Sequence, residues 1–205
     1  PDITYQLNHI KNNIFQEFLL PEAIYITHAH IGHYTGLMYF GREALGSKNL
    51  LVKALPKMSN FLKTNGPWNQ LVNLNNIQIQ NTDFDESYLE LNNIHVTPIK
   101  VPHRDEYSET AGYIITGKNK KALFIPDIDK WEKWDKKLID LAKDFDYLLL
   151  DATFYNSKEI SRDISEIPHP LVSETINLLD SLSKENKRKV YFIHMNHTNP
   201  MLDPN

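Results

Sequence analysis

The stretch Thr27-His28-Ala29-His30-Ile31-Gly32-His33 brings together three of the chain's nine histidines. It directly follows the apolar run 23–26, which predicts a buried strand. Side chains two positions apart in extended backbone share a face, so His28 and His30 can point to the same side. His33 is predicted to begin a helix. Three imidazoles can then converge on a small volume and bind Zn²⁺, Mn²⁺ or Fe²⁺.

A solvated, histidine-rich turn is the alternative interpretation of this stretch. Its position at the end of an apolar run, and the segment Tyr34-Thr35-Gly36-Leu37 that follows it, favour a metal site. The chain has no cysteine, so any metal must be held by imidazole and carboxylate groups.

Length and charge narrow the class of protein. The 205 residues predict one domain over residues 1–205. The 22 Lys and Arg against 26 Asp and Glu give a net charge of -4, which argues against stable nucleic-acid binding through a broad basic face. No apolar run approaches the roughly 18 residues of a membrane span, so none is predicted. The chain begins at Pro1 without Met, and we expect a soluble protein, cytoplasmic or, if a leader has been removed, periplasmic.

Apolar runs bounded by turn-forming residues alternate with helix-like stretches along the whole chain. The predicted strands are Ala23–Thr27, Leu50–Leu55, Asn76–Gln80, Tyr88–Leu91, His95–Val101, Thr110–Thr116, Ala122–Pro126, Tyr147–Leu150 and Val190–His194. The predicted helices are Ile3–Asn12, His33–Phe40, Lys57–Thr64, Trp131–Asp144 and Pro170–Lys184. In the fourth helix apolar residues recur at three- and four-residue steps, so Trp131 and Trp134 are predicted to lie in the core.

The order of these elements predicts the fold class. Strands dominate the middle and both ends mix helix and strand, which favours an α/β sandwich of sheets with outer helices. A doubly wound parallel sheet fits less well, because the chain has only 7 Gly and no glycine-rich phosphate loop.

The histidine stretch resembles the H-x-H-x-D-H motif of the metallo-β-lactamase superfamily, with Thr27, Gly36 and Leu37 completing the frame. Three further matches follow in the order that this superfamily shows, each at or just after an apolar strand: His103, Asp127 and His194. The resemblance implies an α/β (α+β) fold, the four-layer αββα sandwich, with its usual terminal strands expected to be absent here. The two ends of the chain look most like the branch that contains the pyrroloquinoline-quinone biosynthesis protein B family. The segment Asp151-Ala152-Thr153-Phe154 is similar to the tRNase Z and phosphodiesterase branches.

The resemblance also implies a set of metal ligands. A first ion would lie on His28, His30 and His103, with Asp127 able to reach it, and a second on His33, His194 and the shared Asp127. Gly32 departs from the family pattern, because most hydrolases of the superfamily have Asp there, so the second ion should bind more weakly. Glycine can also simply allow the tight turn between His30 and His33, and the two explanations are compatible. One or two divalent ions are therefore expected, with Zn²⁺ ahead of Mn²⁺ or Fe²⁺.

The remaining site residues are assigned by position. Asp127 is predicted to orient the attacking water and to accept its proton. His169, which lies between two prolines, is predicted to protonate the leaving group. The alternative for His169 is a rigid helix start with an exposed imidazole. Asp151 is predicted to fix the tautomer of an imidazole. Predicted to contact substrate or line the pocket are Arg104, Tyr107, His197 and Asn199. Arg104 can instead pair with Asp105 or Glu106.

The expected function is a metal-dependent hydrolase acting on a small, anionic ester or phosphoester. The similarity to quinone-cofactor proteins implies an iron-dependent oxygenase-type reaction as the second hypothesis. A metal-binding relative without catalytic activity is the third.

Overall fold

The computed structural model describes residues 2–159, 163 and 166–203. Its contacts divide the chain into two units. The first runs up to Asp83 and includes Asp105–Glu109, and the second comprises Phe84–Arg104 and the chain from Thr110 onward. Each unit contains its own sheet and its own hydrophobic core. The prediction of one domain over residues 1–205 stays a prediction.

The first unit is built on a three-stranded parallel sheet with the order β1-β2-β3, in which the strands are Ala23–Tyr25, Leu50–Ala54 and Ile77–Asn81. Its helices are α1 (Ile3–Ile10), α2 (Ile31–Tyr34), α3 (Pro56–Thr64) and α4 (Trp68–Asn73). A π-helical segment, Lys11–Phe15, continues α1, and a 3₁₀ segment, Thr35–Phe40, continues α2.

Helix α3 shows why these residues fold as they do. Pro56 occupies the first turn, where its missing N–H is not needed. Met58 and Leu62, one turn apart, share a face and are fully buried in the core that also contains Val52 and Ile77 of the sheet. Helix α3 therefore covers the sheet with the apolar face that its sequence predicts.

The second unit is built on a six-stranded mixed sheet, β4 to β9, arranged in chain order. The strands are Tyr88–Leu89, His95–Lys100, Ala111–Thr116, Lys121–Ile125, Tyr147–Asp151 and Val190–Ile193. Strands β4 to β7 are antiparallel, whereas β7, β8 and β9 are parallel. Parallel neighbours need crossover connections, which contain α5 (Leu138–Asp144) between β7 and β8, and α6 (Val172–Leu178) and α7 (Lys184–Lys187) between β8 and β9.

All nine predicted strands are present, and the predicted α/β class is confirmed. Three helix predictions were too long or displaced. The stretch 33–40 becomes α2, which begins at Ile31, followed by a 3₁₀ segment; 131–144 becomes a 3₁₀ turn, Trp131–Lys133, and α5; and 170–184 shortens to α6, with α7 beginning at Lys184. Helix α4, only six residues long, was missed because the Gly66-Pro67 pair before it is typical of a loop.

The predicted core position of Trp131 and Trp134 is confirmed. Both side chains are buried, and each indole N–H has a partner: Thr175 Oγ1 for Trp131, at 2.8 Å, and the Lys100 carbonyl for Trp134, at 2.9 Å. These bonds satisfy the polar atom that a buried tryptophan carries. Within the described ranges, no helix combines the length and the apolar character that a membrane crossing requires.

Candidate metal centre

The motif histidines of the first unit come together where β1 ends and α2 begins. His28 is 1% exposed, and its Nε2 lies 2.8 Å from Nδ1 of His30. The His33 ring packs on His28 with 4.2 Å between centroids. Two nitrogens that each lie about 2.1 Å from one ion are at most roughly 4.2 Å apart, so the His28 and His30 atoms are close enough to share an ion.

Gly32 lies inside α2 and is not in the left-handed region. Among the described residues, a Cβ added at this position would meet no atom within 4 Å beyond its chain neighbours and the backbone of its own helix. The turn between His30 and His33 therefore does not require glycine, so the alternative that Gly32 serves to allow a tight turn is not what the structure shows.

In the second unit, Asp127 follows β7 and is 3% exposed. Two imidazoles flank its carboxylate: Nε2 of His103 lies 3.3 Å from one oxygen, and Nδ1 of His169 lies 3.2 Å from the other. All three residues were predicted as site residues from separate segments, and both imidazoles lie within 3.3 Å of the Asp127 carboxylate.

Asp151 is the last residue of β8 and is completely buried. Its carboxylate accepts hydrogen bonds from the backbone N–H of Ile128 (3.2 Å), from the backbone N–H and hydroxyl of Thr153 (2.8 and 2.7 Å), and from Nδ1 of His169 (2.8 Å). Burial alone would raise the pKa of Asp151, but the hydrogen bond from His169 and the nearby His194 imidazole hold that pKa below its usual value. Asp151 is therefore charged and fully engaged as an acceptor.

His169 precedes α6 and has a side chain only 12% exposed, so the alternative of an exposed imidazole at a rigid helix start is not what the structure shows. Burial lowers the pKa of His169, but the hydrogen bond and charge of Asp151, followed by the charge of Asp127, raise it above the usual value overall. The charge of Arg104 opposes this increase.

His194 comes directly after β9 and has a positive φ of 63°, a conformation that is uncommon for residues other than glycine and often marks a functional position. Its Nδ1 lies 2.8 Å from the Thr153 hydroxyl. Thr153 contacts Asp151, His169 and His194 and was missed by the sequence analysis. The signal that could have found it is the Asp-x-Thr spacing after a buried strand, which puts both side chains on one side.

The residues predicted to contact substrate or line the pocket differ in how exposed they are. Tyr107 is 67% exposed and pairs with the Phe61 ring, 6.1 Å between centroids, in the first unit. His197 is exposed and bonds Asn196. Asn199 is 2% exposed, and its amide N–H donates to the Ala152 carbonyl, so it anchors the loop after His194 to the end of β8.

Four groups of the second unit could hold a cation together. Each offers one ligand atom, and these atoms all lie within 4.8 Å of one another: Asp127, Asp151, His169 and His194. The two carboxylates are buried, and the charge of Asp127 opposes the ionisation of Asp151. A divalent cation would offset this repulsion, and imidazole and carboxylate are donors that Zn²⁺ accepts, so the donor set fits a metal. Ligand sharing between this group and His28 or His30 stays a prediction.

Comparison with known proteins places the chain in a family. The family described as the β-lactamase superfamily domain matches residues 11–195, and the chain belongs to this family. The resemblance to the metallo-β-lactamase superfamily is thus confirmed. Comparison with curated protein sequences gives no match.

Solved structures with the same fold include proteins of several activities. Zn²⁺-bound PqqB from Methylobacterium extorquens is similar with a TM-score of 0.76 and 18% identity, over 98% of this chain and 72% of that one. A diphosphatase of the PhnP family has a TM-score of 0.65 and 20% identity, over 98% of this chain and 68% of that one. Human tRNase Z, short form, has a TM-score of 0.54 and 14% identity, over 86% of this chain and 73% of that one. At these identities the likeness shows the fold, and a fold of this kind serves many reactions.

Proposed function

We propose that this protein is a metal-dependent hydrolase that acts on a small, anionic ester or phosphoester. The observation that carries the proposal is the convergence of Asp127, Asp151, His169 and His194 in the second unit, where one side-chain nitrogen or oxygen of each lies within 4.8 Å of the others. Asp127 and His194 are the proposed ligands in this group, and His169, bonded to Asp151, is the proposed proton donor. Zn²⁺-bound PqqB, which has the same fold, supports a metal here. The PhnP-family diphosphatase with the same fold supports a phosphoester over a lactam or thioester.

The proposed ligands follow the motif order of the family. His28, His30 and His103, with Asp127, would hold the first ion, and His33, His194 and Asp127 the second. When bound, a divalent ion lowers the pKa of water and polarises the bond that is attacked. Zn²⁺ is the expected ion, because it accepts imidazole and carboxylate donors and because PqqB, with the same fold, has been solved with Zn²⁺ bound.

The chain's own residues have distinct roles in this proposal. Asp127 orients the attacking water and accepts its proton. His169 donates its Nδ1–H to Asp151, so its Nε2 is the atom that can protonate a leaving group. Asp151 holds the His169 imidazole in one orientation, as a carboxylate acceptor on the far nitrogen does in other sites. Arg104, Tyr107 and His197 are proposed to contact the substrate, with Arg104 binding its anionic group.

The test combines metal analysis with cleavage of a model phosphodiester. We expect the purified protein to contain Zn²⁺ and to cleave bis(p-nitrophenyl) phosphate, and we expect chelation and Asp127→Asn each to reduce the rate by roughly 100-fold or more. The control Asp135→Asn, which removes an equal charge from an exposed side chain, should retain the wild-type rate.

Two results would contradict the proposal. Oxygen-dependent turnover after anaerobic loading with Fe²⁺, without ester cleavage, would identify an oxygenase-type enzyme. Tight metal binding with no cleavage of phosphate or carboxylate esters would identify a metal-binding relative without hydrolase activity.

A further inference from the structure

One contact of the motif histidines involves a residue outside the proposed ligand set. Nε2 of His30 lies 2.8 Å from a carboxylate oxygen of Glu106, a residue 76 positions further along the chain in the first unit. A carboxylate only accepts hydrogen bonds, so the proton of this bond is on Nε2 of His30.

This bond fixes which nitrogen of His30 can bind a metal. With the proton on Nε2, a neutral His30 has its lone pair on Nδ1, and Nδ1 is the atom that lies 2.8 Å from Nε2 of His28. The two nitrogens that face each other in the motif are therefore the two that the proposed first ion would use.

The segment that contains Glu106 is attached to the histidine loop and to α3. The Ser108 hydroxyl accepts a hydrogen bond from the Ala29 backbone N–H at 2.8 Å, between His28 and His30. The Glu109 carboxylate accepts from the Lys57 N–H at the start of α3, at 3.1 Å. These two bonds thus hold the segment of Glu106 close to the histidine loop, where the Glu106 carboxylate meets Nε2 of His30.

We propose that Glu106 is a positioning residue for the metal site: it fixes the tautomer and ring orientation of His30 so that Nδ1 faces the ion. The proposal rests on the proposed function, since it takes His30 as a ligand. Carboxylates that accept from the far nitrogen of a ligating imidazole typically change metal affinity by about 10- to 100-fold. Glu106 is 47% exposed, and an ion pair of this exposure contributes little to folding.

The first measurement needs no metal. In the ¹⁵N-labelled, metal-free protein at about pH 8, long-range ¹H–¹⁵N spectra should show His30 as the Nε2–H tautomer, assigned by its loss in His30→Ala. Glu106→Ala should give a mixture of tautomers. Glu106→Gln retains an oxygen acceptor and should keep the wild-type tautomer.

The second measurement is Zn²⁺ affinity by competition with a chromophoric chelator. Glu106→Ala should bind Zn²⁺ about 10- to 100-fold more weakly than wild type, with Glu106→Gln between the two. Asp105→Asn removes the same charge from the neighbouring exposed residue and should stay within about twofold of wild type. The melting temperature of all metal-free variants should change by less than about 2 °C.

The controls separate the positioning role of Glu106 from the assignment of His30 as a metal ligand. If Glu106→Ala keeps both the tautomer and the affinity of wild type while His30→Ala binds Zn²⁺ weakly, the positioning role of Glu106 is overturned and the metal site stands. If His30→Ala binds Zn²⁺ as tightly as wild type, the ligand assignment fails, and the positioning role fails with it.

Discussion

Gly32 is the residue at which the chain departs from the motif of its family, and the surrounding structure leaves that position open. Within the part of the chain that the structure describes, a Cβ placed there meets no neighbouring side chain within 4 Å, and the backbone at Gly32 is outside the left-handed region that favours glycine. An aspartate at position 32 would lie in the single turn of α2, directly before His33.

We therefore expect Gly32→Asp to fold normally and to bind a second Zn²⁺ at least roughly tenfold more tightly, because it adds a carboxylate ligand beside His33. Metal analysis after dialysis at fixed free Zn²⁺ measures the change in stoichiometry. Gly32→Ala adds the Cβ alone and should match wild type. A second-ion affinity equal in Gly32→Asp and Gly32→Ala would show that position 32 does not face that ion.

At the scale of the element, the ends of neighbouring parallel strands supply the chemistry of the second unit. Asp127, Asp151 and His194 come at or just after the ends of β7, β8 and β9. Thr153 links two of these strand ends. Its single hydroxyl proton goes to Asp151 at 2.7 Å, so toward Nδ1 of His194 it is the acceptor. This arrangement leaves Nε2 of His194 as the lone-pair nitrogen.

We expect Thr153→Val, which has a similar shape and no hydroxyl, to bind the second metal roughly 10- to 100-fold more weakly. Thr153→Ser should retain the wild-type affinity, because it keeps the same donor and acceptor. Titration with Co²⁺, followed by its visible absorption, measures both affinity and ligand geometry. Equal spectra and affinities for wild type and Thr153→Val would contradict the role assigned to Thr153.

The elements show what the sequence could predict. The strands were predictable because short apolar runs end sharply at Asn, Asp, Gly or Pro, and strand ends are where His103, Asp127 and His194 were sought. The helix over 131–144 was overestimated, since apolar spacing persists through the 3₁₀ turn Trp131–Lys133 although the backbone there does not form an α-helix. Glu106 was recognised only as a partner for Arg104, because its contact with His30 joins residues 76 apart.

At the scale of the whole molecule, two buried charges in the second unit couple folding to pH. The pKa of Asp151 is lowered from 3.8, so its contribution to stability is present above that pH and lost as pH falls through the lower folded value. The pKa of His169 is raised from 6.5, so its contribution is full below that pH and lost as pH rises through the higher folded value. The pair therefore stabilises the fold most between pH 3.8 and 6.5.

We expect Asp151→Asn to lower the urea midpoint of the metal-free protein more at about pH 5 than at about pH 9. At the lower pH His169 is protonated, and the substitution removes the negative charge that stabilises its positive charge. At the higher pH His169 is neutral, so this loss does not occur. Urea unfolding at both pH values measures the difference. The exposed Asp135→Asn serves as the charge-matched control and should show no such pH dependence. A penalty for Asp151→Asn that is identical at the two pH values would show that His169 is not the coupled group.

The open space beside Gly32 has an evolutionary meaning. Glycine and aspartate codons can differ by a single base, and the Cβ that the larger residue adds would meet no neighbouring described residue within 4 Å. With the ligand set proposed above, a lineage with this backbone would gain or lose a ligand in one mutational step, so the number of ions bound by its members would drift while the scaffold stays the same.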